Sequence, residues 1–136
     1  MSVATELRQF LLDQNDVTIS QICQAFIPEE AKRANGFIYF NRSGTEQLRT
    51  FTPDANGPYY NFFDVEIYHK DIDTVEAVAD AIQNLDCYTG DFGAGHTQAF
   101  FVENQTDDYV PQVEFTDEER LESSFLTIEI RGYTGP

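Results

Sequence analysis

The chain is 136 residues long, 41% hydrophobic, and carries a formal net charge of -16. That length is one ordinary domain, and that apolar content supplies a core, which excludes disorder throughout. The charge excludes direct binding to a phosphate backbone, because such binding needs a basic stripe and the sequence has none.

In chain order, residues 5–14 predict a helix. Leu7, Phe10 and Leu11 recur at helical spacing and give one apolar stripe, and Asn15-Asp16 breaks it. Residues 17–27 admit two readings. Ile19, Ile22 and Phe26 fit a helix, whereas Val17-Thr18-Ile19 is extended in character; Pro28 ends either. Residues 28–36 predict a short helical turn, with Pro28 at its start and Gly36 at its exit. Residues 37–42, aromatic and β-branched, predict a strand. Residues 43–58 predict a long polar loop that closes on Thr52-Pro53-Asp54-Ala55-Asn56-Gly57-Pro58. Connections of that length are usually functional or mobile.

The next stretch is the most regular. Residues 63–70 predict a strand with Phe63, Val65 and Ile67 on one side. Asp64, Glu66 and Tyr68 fall on the other, which predicts a half-buried strand with one wet face. A central helix follows at about residues 73–86. Asp73 and Glu76 form a capping-box-like pair, and Val75, Val78, Ala79, Ile82 and Leu85 make the buried stripe. A Gly-rich loop holding Gly90, Gly93 and Gly95 leads into a strand at residues 97–103. Residues 104–120 predict an acidic loop region, with a further strand possible at 109–115. Residues 124–130 predict the last strand, with Leu126, Ile128 and Ile130 inward. The fold class is therefore α+β: a single domain over residues 1–136, mainly an antiparallel sheet flanked by an N-terminal and a central helix.

Little in the chain points to chemistry. His69 and His96 stand alone, without a nucleophile placed beside them. Asp71 and Asp73 could pair around a divalent cation, but no third ligand sits at a metal-loop spacing, and the helix cap already accounts for Asp73. The glycines of residues 90–95 are not followed by the Lys-Ser/Thr of a phosphate loop. Cys23 and Cys87 have no CxxC partner and no neighbouring histidine, which suits reduced thiols in a cytosolic setting. No catalytic residue, cofactor or metal is expected. The N-terminus does not read as a signal peptide, and no apolar run has the ~18 residues of a membrane span.

The charge is unevenly placed. Residues 1–60 hold seven acids and five bases, whereas residues 61–136 hold seventeen acids and three bases, Lys70, Arg120 and Arg131. One reading is solubility; the sharper one is a surface that does not stick to nucleic acid.

The order of these elements resembles the tail terminator (tail completion) proteins of long-tailed bacteriophages. The likeness rests on the N-terminal helix, the strand at 37–42, and the loop and strand ending near His69. It continues through the helix ending at Leu85, the Gly-containing loop, and a last strand closing on Thr127-Ile128-Glu129-Ile130-Arg131-Gly132-Tyr133. It covers nearly the whole chain in order of elements and rests on no invariant motif. The resemblance implies a structural virion protein, assembled in the host cytoplasm. It would form a ring, usually hexameric, that caps the head-proximal end of the tail tube and ends tube polymerisation. Its partners would be copies of itself, the tail tube protein and a neck (head–tail connector) protein, with DNA passing through without specific binding and no membrane involved. Phe51, Tyr59 and Tyr60 are the candidate subunit interface, against a competing reading in which they pack the loop onto its own sheet. Asp64, Glu66, Asp107, Asp108, Asp117, Glu118 and Glu119 are the candidate acidic lumen. The alternatives are another neck component, a stopper or adaptor, and a monomeric acidic module that mimics nucleic acid.

Overall fold

The computed structural model describes residues 3–24, 26–28, 35–47, 59–89, 97–106 and 121–132. Helix α1 (Val3–Leu12) buries Val3, Leu7, Phe10 and Leu11, the expected stripe extended by one turn toward the N-terminus. Residues 17–20 are extended: Val17 and Ile19 are buried while Thr18 and Ser20 are exposed, an alternation with the period of a strand. The ambiguous segment 17–27 thus includes the three-residue strand β1 (Ile22–Gln24) rather than a helix over its described part; Ala25 lies outside the described residues.

The remaining elements among the described residues are β2 (Gly36–Gln47), β3 (Tyr59–His69), helix α2 (Ile72–Gln83), β4 (Thr97–Thr106) and β5 (Glu122–Gly132). They form one five-stranded sheet in the order β1-β2-β3-β5-β4. β1 runs parallel to β2, and every other pair is antiparallel. The fold is thus α+β, with a mainly antiparallel sheet and the two expected helices. β3 is the spine: it pairs over its whole length with β2 on one side and β5 on the other.

One core joins the helices to one face of the sheet. Leu7, Phe10 and Leu11 of α1 and Val75, Val78, Ala79 and Ile82 of α2 share it with Ile38 and Phe40, Phe63, Val65 and Ile67, Phe100, and Leu126, Ile128 and Ile130. Burying each of these larger side chains contributes about 1.5–3 kcal/mol before chain entropy is charged against it. Among the described residues, two polar side chains of the strands are buried on this face, Asn61 and Ser124, each 1% exposed. Asn61 Nδ2 and Ser124 Oγ have no hydrogen-bond partner, a cost the apolar burial has to outweigh.

Three expectations change. The polar loop is shorter than residues 43–58, because β2 continues to Gln47 and β3 begins at Tyr59. A bulge between Arg42 and Gly44 absorbs Ser43, whose hydroxyl donates to Phe62 O at 3.2 Å. Residues 48–58, Phe51 among them, lie outside the described residues. The cap of α2 is Asp71, not Asp73: its carboxylate accepts from Asp73 N at 3.2 Å and from Thr74 Oγ1 at 3.0 Å. Asp73 instead sits in the first turn, where its charge favours the helix dipole. β4 runs on to Thr106, so residues 104–106 belong to a strand rather than an acidic loop. The rest of that region, including the strand considered at 109–115, lies outside the described residues, as do residues 29–34 of the predicted helical turn. Gly36 opens β2, where an added Cβ would sit 2.5 Å from Tyr68 O and from His69 Cδ2.

Candidate functional site

Cross-strand partners share a face, so the register assigns the side of the sheet turned away from the helices. β2 and β3 place Phe37 beside Tyr68, Tyr39 beside Glu66, Asn41 beside Asp64 and Glu46 beside Tyr60. β5 adds Phe125, Thr127, Glu129 and Arg131, and β4 adds Phe101 opposite Glu129. This far face has two zones of different chemistry.

The zone beside β1 is a second, smaller core. Cys23, Phe37, Tyr68 and Phe125 are buried together, with Ile27, Tyr39 and Leu121 packed against them. The Phe37 and Tyr68 rings lie 5.0 Å apart, and Phe125 meets Tyr68 edge-on at 6.2 Å. Inside this cluster, Glu66 is only 2% exposed and accepts a hydrogen bond from the Tyr68 hydroxyl. Burial, and then the Glu66 charge, hold the Tyr39 hydroxyl above its usual range. Burial likewise raises the Cys23 thiol, against the opposing charge of Arg8. The wet face expected for β3 is therefore corrected: Glu66 and Tyr68 are interior groups, and Glu66 is removed from the candidate lumen acids. Phe37 and Phe125 supply the cover.

The zone at the other end is charged. The Arg131 guanidinium lies 4.8 Å from the centroids of both the Tyr60 and Phe101 rings. Its Nε donates to Glu129 Oε1 at 2.9 Å, so one cation is held by two π faces and a carboxylate. Burial pushes Glu129 upward, but hydrogen bonds from Glu103 and Arg131 outweigh it and leave Glu129 below its ordinary value. Glu103 stands above its ordinary value, first because of its hydrogen bond to Glu129, then through burial and the Glu129 charge. Of the pair, Glu103 is thus the easier to protonate and Glu129 the easier to ionise. Bonding to Glu129 in turn raises Arg131 further.

Of the residues singled out from sequence, Asp64 is half-buried on this far face and Glu66 is buried beside it. Tyr60 is half-buried and carries Arg131 on its ring, a local packing role. Tyr59 opens β3 by its backbone. Phe51, Asp107, Asp108, Asp117, Glu118 and Glu119 lie outside the described residues. Sequence reasoning missed Glu46, Glu103 and Glu129 as members of the same face. Glu129 was within reach, since Thr127, Glu129 and Arg131 alternate with inward Leu126, Ile128 and Ile130. Glu46 and Glu103 needed the register.

An open cleft of about 280 Å³ lies at the start of β2, lined by residues that include Thr18, Gln21, Asn35, Gly36, His69 and Thr74. His69 is the one titratable group among the described residues of its lining, and its Nδ1 accepts from Asp71 N at 3.0 Å. Those described residues assemble no base–nucleophile pair there. Among the described residues there is no cluster of three metal-ligating side chains, and no helix long and apolar enough to cross a membrane. No protein-family model matches the chain, and no curated protein matches it in sequence.

Proposed function

We propose that the chain is a structural ring protein of a long-tailed phage, of the tail-terminator type. The ring caps the head-proximal end of the tail tube, meets the tube protein on one side and a neck protein on the other, and lets DNA pass through its opening. One observation carries this reading: among the described residues, the sheet face opposite the helices gathers Glu46, Asp64, Glu66, Glu103 and Glu129 against a single base, Arg131. That base is neutralised by Glu129. Screening at physiological salt confines charge effects to about 8 Å. Only groups on the wall itself can keep DNA from adhering, and an acid-rich wall does so. With Glu66 buried, Asp64, Glu46 and Glu103 are the acids of this face that such a wall would present.

The experiment is negative-stain microscopy of the purified protein, alone and mixed with tail tubes from the same genome. Rings, or caps on one tube end with uniform tube lengths, are the expected result. A protein that stays monomeric and leaves tube ends and lengths unchanged sinks the reading.

A further inference from the structure

The sheet manages its edges unequally. On β4, the outward amide of Phe100 donates to Tyr88 O at 2.9 Å, and that of Val102 donates to the Asp86 carboxylate at 2.9 Å. On β1, the carbonyl of Ile22 accepts from Arg8 Nε at 2.9 Å. The protein's own groups therefore answer part of each of these edges. β2 is different. β1 pairs only with Ile38 to Phe40 of it, and among the described residues no strand pairs with the outer edge of residues 41–47. Asn41, Arg42, Ser43, Thr45 and Glu46 have exposed side chains there. Where β1 leaves the sheet, Phe26 is 73% exposed, the most exposed large apolar side chain among those described.

We infer that the outer edge of β2 over residues 41–47, together with the exposed Phe26 two residues past the end of β1, is a docking surface for an extended segment of a second copy of this chain. An unanswered strand edge offers a row of backbone donors and acceptors, and strand addition satisfies them. Charge selects the place. Two copies at -16 each repel, so they approach most cheaply where the surface is neutral. The segment Asn41 to Gln47 carries one base, Arg42, and one acid, Glu46. The neighbour's acid-rich half then meets Arg42, with Glu46 as the one like charge within that segment. The inference rests on the ring reading for its occupant, since a closing head-to-tail ring needs a contact surface of this kind.

The phase of the edge designs the test. The Ile38 amide points outward, to Gln21 O. Alternation carries the outward set to Arg42, and the bulge shifts it by one, so the Thr45 amide points outward as well. Thr45→Pro deletes an edge donor without taking a rung from the β2–β3 ladder, and proline is tolerated on an edge; because it also removes the hydroxyl that donates to Asn61 Oδ1 at 3.2 Å, Thr45→Ala is its reference. Phe26→Asp removes the exposed ring and leaves the backbone alone.

Sedimentation equilibrium and tube-capping microscopy are run on wild-type and both variants of the full chain, at low and high salt, with thermal melts as a folding check. The expected result is self-association, or capping, weakened roughly tenfold or more in each variant. If Thr45→Pro fails the melt, Phe26→Asp decides; if both fold and disagree, Thr45→Pro decides, because it probes the backbone. Assembly or capping undiminished in the deciding variant overturns the inference and leaves the ring reading standing. Wild-type association that stops at a dimer and is lost in the variants upholds the edge and removes the ring. A wild-type protein that neither associates nor caps tubes removes both.

Discussion

The two faces of the sheet are made by alternate residues of the same strands, yet they obey different rules. Toward the helices, Phe63, Val65 and Ile67 join a single continuous apolar core. On the far side, Phe62 and Asp64 are half-buried, Glu66 and Tyr68 are interior, and Arg131 is clasped by two rings. The helix side gains its stability mainly from apolar area. The far side combines area with specific polar pairings that fix where each charge sits, so it can carry acids on a folded surface without losing order.

The comparison breaks most sharply at adjacent positions. Phe63→Ala is expected to cost about 3–5 kcal/mol, the range for emptying a buried ring site. Phe62→Ala, one residue along on the other face, should cost clearly less in the same urea titration. Equal losses would erase the distinction between the faces. Next in size is Tyr68→Phe, which keeps the ring packing and removes the hydroxyl donor to Glu66. A loss of about 1–3 kcal/mol is expected, because a buried carboxylate forfeits a hydrogen bond; an unchanged midpoint would mean the pairing carries no weight.

The smallest effect probes the Glu103–Glu129 pair. Glu103 is raised in the folded state, so its contribution is full below its unfolded value and fades as pH rises through the folded one. Glu129 is lowered, so its contribution is present above its unfolded value and is lost as pH falls through the folded one. Glu103→Gln donates at every pH. It should add about 0.5 kcal/mol at neutral pH, given the exposure of Glu103. It should also flatten the stability profile between mildly acidic and neutral pH. A variant that tracks wild type across that range would show that no proton is shared.

What was legible in the sequence was whatever depends on neighbours within one turn or one strand. The stripes of α1 and α2 and the inward residues of β3 and β5 follow from periodicity alone, and they landed in one core. The cap was misplaced by two residues because Asp71 and Asp73 are both capable caps; the chosen one also has its amide held by His69 Nδ1. The far face was hidden for a deeper reason. Whether Glu66 is wet depends on Phe125, which arrives opposite it from nearly sixty residues away. Register is a property of pairs, and alternation within one strand does not contain it. Phe37 and Tyr39 beside Ile38 and Phe40 were the available hint that both faces of β2 bury apolar groups.

The strand order also sets a timetable. β5 is last in sequence but lies between β3 and β4. Each of those strands therefore has an unfilled side until residues 122–132 have been made. At about 5–20 residues per second, a ribosome leaves the β3 side open for several seconds after that strand emerges. During that time β2 and β3 can pair with each other but cannot be covered by β5. The native sheet closes by insertion of a distant segment, a contact pattern associated with slow folding. Newly made chains are thus most vulnerable to mispairing with one another just before synthesis reaches Gly132.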